Sequence, residues 1–133
     1  MELRAIGSVS SPLTDPGAAP KQGDEGAPEA TLEISPEFAR GLQGISAGDE
    51  VFVLTWLDRA DREVLSVHPR DDPSNPETGV FATRSADRPN PIGLHRVRVL
   101  EAEGGRLRVD ALEAVDGTPV LDLKPVLGAV EER

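Results

Sequence analysis

The chain has 133 residues, 13 glycines, 12 prolines, no cysteine and a net charge of −10. That length suits one domain around one core, and the missing cysteine excludes disulfides and thiolate metal sites. Strong acidity argues against broad binding to phosphate backbones. No apolar run approaches the roughly 18 residues of a membrane span, and Met1–Ser10 lacks a signal pattern, so the expectation is a cytoplasmic protein with no membrane partner.

Leu3 to Ile6 reads as a short strand. Ser8 to Pro28 follows with Pro and Gly throughout and no periodicity, a loop long enough to be either disordered or functional. Ala30 to Ile34 alternates as a strand. Pro36 to Leu42 reads as one helical turn, with Pro36 at its start, Ser35 available as a cap and Gly41 available to end it. After a turn at Gly48-Asp49, Val51 to Leu57 is apolar on both faces and reads as a fully buried strand. Asp58 to Arg62 is a charged turn, and Val64 to Val67 is another short strand. His68 to Pro76 carries three prolines, which prevent regular structure.

Gly79 to Leu94, GVFATRSADRPNPIGL, is the most informative stretch. Val80-Phe81-Ala82 is too short for an ordinary helix. Pro89 and Pro91 lack an N–H and push Arg88 and Asn90 toward extended conformations, so Arg88 to Gly93 reads as a stiff polar loop. Such loops more often hold ligands than merely connect. From Gly79 to Val99 four arginines face one acid, a local charge of +3 on an acidic chain. Arg96 to Glu103 then alternates as a strand, Gly104-Gly105 makes a hairpin turn, and Arg106 to Leu112 pairs back. A tight turn at Asp116 to Pro119 leads into a last strand, Val120 to Leu123. The sum is an all-β domain, a small barrel of about seven short strands with long Pro/Gly-rich loops.

His68 and His95 lie in separate segments without ligand spacing, so no metal site is expected. Gly104-Gly105 opens no helix and makes no phosphate loop. Ser74 or Ser85 has no strand–nucleophile–helix elbow to support covalent catalysis. Unaided, composition and spacing reach an all-β domain with a ligand loop.

GVFATRSADRPNPIG and the later LEAVDGTPVLDLKP closely resemble the TsaA-like (TrmO) family. Ile6-Gly7, Ser11-Pro12, Ala19-Pro20-Lys21-Gln22 and Leu57-Asp58-Arg59 add to the match, which runs from about Ile6 to Pro125. The resemblance implies a β-barrel methyltransferase dependent on S-adenosyl-L-methionine, usually a homodimer, acting on N6-threonylcarbamoyladenosine beside the anticodon of tRNA. It implies cofactor contacts at Pro20, Lys21, Gln22, Asp58, Arg59 and Arg84. Further contacts come from Leu112, Glu113, Ala114 and Val115, whose backbone holds the adenine end. Arg88, Asn90 and Arg96 are the expected substrate residues. Asp58 and His68 are the candidate bases, with Asn90 beside them in the catalytic set, and Asp58 or Asp116 could face the sulfonium. Two positions depart from the family: Lys21 replaces an arginine, and His95 stands where serine or threonine is common. Two other readings stay open, the same chemistry on a non-tRNA acceptor and a barrel that holds the cofactor without turnover.

Overall fold

The computed structural model describes residues 1–14 and 26–128. Its strands are β1 (Gly7–Ser10), β2 (Ala30–Ile34), β3 (Glu50–Trp56), β4 (Ser66–Val67), β5 (Thr78–Gly79), β6 (Ile92–Glu103), β7 (Arg106–Val109) and β8 (Pro119–Pro125). Six of them close an antiparallel barrel in the order β1-β2-β7-β6-β3-β8, while β4 and β5 form a separate two-stranded ribbon. Closure runs through β1, which pairs Gly7 with both Ile34 of β2 and Val120 of β8. A side chain at Gly7 would run into the backbone of Glu33 and Ile34. Glycine is what lets β1 approach that closely.

Strand alternation fills the interior. Val9, Leu32, Val51, Val53, Val97, Val99, Leu107, Val109, Leu112 and Val120 are all buried, and the core is built mainly from valine and leucine. β-branched residues suit this narrow pleated cylinder. The outer wall carries ion pairs between neighbouring strands, Arg108 with Glu29 and Glu101, Arg106 with Glu33, and Arg96 and Arg98 with Glu50. Being exposed, such pairs each add little stability. A shallow cleft of about 240 Å³ on this wall is lined by Ser10, Ser11, Glu29 and Arg108, and its acid and cation already satisfy each other.

Several boundaries differ from the sequence expectations. The first strand is Gly7–Ser10 and not Leu3–Ile6, so the long loop begins after Ser10. Val9 is the residue that enters the core, and it sets the register. β3 is buried on its inner face alone, since Phe52, Leu54 and Trp56 are half-buried outside. β6 starts at Ile92, four residues early, because pairing with Trp56 and Thr55 overrides the loop signal of the prolines. Pro36–Leu42 is a 3-10 helix that runs past Gly41 with no side-chain cap from Ser35. Val80–Ala82 is a single 3-10 turn. Gly104 and Gly105, at φ 58° and 81°, make the expected hairpin turn between β6 and β7.

Candidate functional site

Antiparallel closure sorts the connections. The segments after β1, β3 and β7 all leave from one end of the barrel, and β2, β6 and β8 all begin there. The described residues 11–14, 26–29, 57–91 and 110–118 therefore share one mouth. Backbone bonds tie the third segment to the first: Leu112 N–H donates to Pro28, Asp116 N–H to Leu13 and Gly117 N–H to Val9. Ser11 N–H in turn donates to the Asp116 carboxylate at 3.0 Å.

Among the described residues, every site residue expected from the sequence except Arg96 belongs to these mouth segments. Pro20, Lys21 and Gln22 lie outside the described residues. Asp58 and Arg59 are exposed just beyond the end of β3, and Arg59 reaches the carbonyl of Thr14 only at 3.5 Å. His68 is exposed, and its Nδ1 donates to the Asn75 carbonyl at 2.8 Å, which leaves Nε2 as an acceptor. Beside it, Asp72 accepts from the Ser74 hydroxyl and N–H, which hold its carboxyl below the ordinary 3.8. No hydrogen bond joins Asp58, His68 and Asn90 among the described residues.

The RPNP loop is held by two arginines. Arg88 turns inward, and its guanidinium donates to the carbonyls of Val80 at 2.6 Å, Ser85 at 3.0 Å and Thr83 at 3.2 Å. Arg62 lies 5.1 Å from the Trp56 ring centre and donates to Pro89 O at 2.7 Å and Asn90 Oδ1 at 3.0 Å. Arg88 thus shapes the loop with the fork expected to meet substrate. Arg62 escaped the sequence reading because the charged turn carrying it gave no hint of its partners 27 and 28 residues away.

The basic stretch is accordingly dispersed. Arg96 sits mid-strand on the outer wall with its Nε 2.9 Å from Glu50, and Arg98 shares the same carboxylate. Both are placed on the wall and not at the mouth, which separates Arg96 from the expected substrate residues. Arg84 alone among the four is exposed with no hydrogen bond or ion pair among the described residues.

Inside the mouth lies a cluster that no spacing in the sequence would assemble. His95 faces inward from β6, 4% exposed, with Nε2 2.7 Å from Thr55 Oγ1 and Nδ1 2.5 Å from Glu113 Oε1. A carboxylate accepts, so Nδ1–H donates to Glu113, and the Thr55 hydroxyl can donate to Nε2. The order hydroxyl–imidazole–carboxylate matches a nucleophilic triad, but Thr55 is fully buried and no substrate reaches it. Gly93, opposite Thr55 in the strand register, leaves the space these side chains fill. Leu112 and Ala114 are buried beside them. Among the described residues, the N–H groups of Glu113, Ala114 and Val115 take no hydrogen bond. A strip of free donors beside a partly buried carboxylate suits the edge of a polar heterocycle. No group of three His, Asp or Glu side chains converges among the described residues.

The fold defines a class, a small closed antiparallel barrel with three of its connections at one end. The sequence profile of the tRNA-methyltransferase O N-terminal domain matches residues 8–132, and the chain belongs to that family. A protein of Archaeoglobus fulgidus named a probable S-adenosyl-L-methionine-binding protein is 45% identical over 98% of this chain, which spans 35% of that relative. Another of that name, from Methanothermobacter thermautotrophicus, is 42% identical over 94% of this chain and 89% of its own length. The crystal structure of TrmO from Pseudomonas aeruginosa superposes with a TM-score of 0.75 at 34% identity, covering 96% of this chain and 56% of that one. The chain thus spans little more than half of that enzyme and about a third of the first archaeal relative.

Proposed function

We propose that this barrel binds S-adenosyl-L-methionine at the mouth and transfers its methyl group to N6-threonylcarbamoyladenosine beside the anticodon of tRNA. The observation that carries the reading is that the 113–115 N–H groups and the Arg84 guanidinium, all on segments that share one mouth, have no hydrogen-bond partner among the described residues. Family membership and the names of the relatives support it. When bound, the cofactor supplies an already activated methyl on a sulfonium, so the protein needs neither nucleophile nor metal. Its residues hold donor and acceptor in line, a contribution worth about 7–11 kcal/mol in favourable cases. The backbone of 113–115 receives the adenine edge, and Arg84 forks onto a carboxylate. His68, with Nδ1–H fixed on Asn75, presents Nε2 to the proton that the acceptor amine releases.

Titration of S-adenosylmethionine and S-adenosylhomocysteine into the purified protein tests the reading. Saturable binding of both near one site per chain is expected, with Arg84→Ala weakening the cofactor about tenfold through the lost charged pair. Full affinity in that variant removes Arg84 from the site, and no binding at millimolar cofactor removes the reading.

One observation favours a different acceptor. With Arg88 turned into its loop and Arg96 and Arg98 shared with Glu50, the stretch of local charge +3 offers phosphates little free cation. Methyl transfer to a small molecule predicts only weak tRNA binding with a shallow salt dependence. The barrel is cytoplasmic and works as a homodimer in this proposal. Support comes from the outer face of β3 and β6, where Ile92 and Leu94 are each 40% exposed beside Trp56 and Leu54. Leu94→Glu is expected to yield monomers by light scattering. A dimer that survives it places the interface elsewhere.

A further inference from the structure

Glu113 differs from the other acids at the mouth. Asp58 is exposed, and Asp116 is exposed and engaged by Ser11 N–H. Asp87 accepts from Asp61 N–H, and Asp110 from the N–H groups of Arg98 and Ala111. The Glu113 side chain is 15% exposed, with Oε1 on the buried imidazole of His95. Its second oxygen has no hydrogen bond among the described residues, and no buried side-chain oxygen of the described residues is left unsatisfied. Oε2 therefore keeps access to the mouth.

The carboxylate is also held still. His95 is pinned by Thr55 below and by the space over Gly93, and Glu113 is pinned by His95. A glutamate with three free rotors is a poor acceptor until something orders it, and ordering in advance lowers the cost of each bond it then makes. The backbone donors of 113–115 lie on the same short segment, so a heterocycle seated there puts its attached sugar within reach of this carboxylate.

We propose that His95 is a positioning residue for the ligand site, fixing Glu113 so that its outward oxygen accepts the ribose hydroxyls of a bound adenosine group. In dinucleotide-binding folds an aspartate or glutamate accepts the ribose 2′-hydroxyl in this way. The inference rests on the cofactor reading above and deepens it. It also moves the sulfonium away from the anchored acid.

The test compares S-adenosylhomocysteine with its 2′-deoxy counterpart by titration against the full chain and three variants. The parent protein is expected to prefer the ribose form about tenfold, the worth of one charge-assisted hydrogen bond. Glu113→Gln keeps an acceptor for His95 but loses the charge, and it should lose most of that preference. His95→Ser, which introduces the residue type common in the family, should lose it as well while staying folded. His95→Gln restores a donor to Glu113 and should recover part of it. A role in packing alone would lower both affinities equally and leave their ratio unchanged, which overturns the inference. So does a Glu113→Gln variant that weakens S-adenosylmethionine but spares S-adenosylhomocysteine, because the carboxylate then faces the sulfonium. Failure of the parent protein to bind either compound sinks the cofactor reading and this inference with it. Binding with an unchanged ratio sinks the inference alone.

Discussion

Gly93→Ala is expected to cost about 3 kcal/mol of stability, the upper part of the usual range for overpacking a core. The new methyl would overlap Thr55 Oγ1 and stand 2.7 Å from His95 Nε2. Neither neighbour can yield, since Thr55 is 0% and His95 4% exposed and they are bonded to each other. Replacing glycine normally gains about 0.4–1 kcal/mol by restricting the unfolded chain, which is too little to offset such a clash. Urea unfolding should show a lower midpoint with an unchanged slope. An alanine variant with the parental midpoint would mean that His95 and Thr55 do not pack over Gly93.

For the proposed methyl transfer, Arg88→Met is expected to slow turnover about a hundredfold, the scale of loss when reacting groups are misplaced by about 1 Å. Methionine keeps the apolar stem of the side chain and removes the fork that gathers three carbonyls of the loop. The loop stands outside the barrel, so the unfolding midpoint should move far less than the rate. Hydrogen exchange should quicken across residues 80–91 and stay slow in β3 and β6. Lysine at this position should rescue poorly, because a single ammonium cannot span those acceptors in one geometry. Full turnover in the methionine variant would show that the loop keeps its shape without the fork.

What the sequence made legible followed from local patterning. Alternation in β2, β6 and β7 and the Gly104-Gly105 turn led to an all-β barrel, and the long loop motifs led to the family. Local rules failed where a distant partner decides. Pro89 and Pro91 concealed the start of β6, which only the facing β3 reveals. The partners of Arg88 and Arg96 were hidden too, because neither the loop carbonyls nor Glu50 stands beside them in a pattern that a sequence displays. His95 registered only as a histidine without ligand spacing and as a departure from the family. Its partners Thr55 and Glu113 are 40 and 18 residues away, and no spacing rule joins such positions before the barrel is closed.

Pairing of Gly7 with Val120 joins regions near opposite ends of the chain. Contacts of such high sequence separation form slowly, because loop-closure entropy is spent before they return any stability. The bonds from Asp116 to Leu13 and from Gly117 to Val9 lie beside that seam and form with it. A chain with the seam open therefore lacks that edge of the mouth. A ligand that binds only the closed barrel makes the seam open less often as its concentration rises.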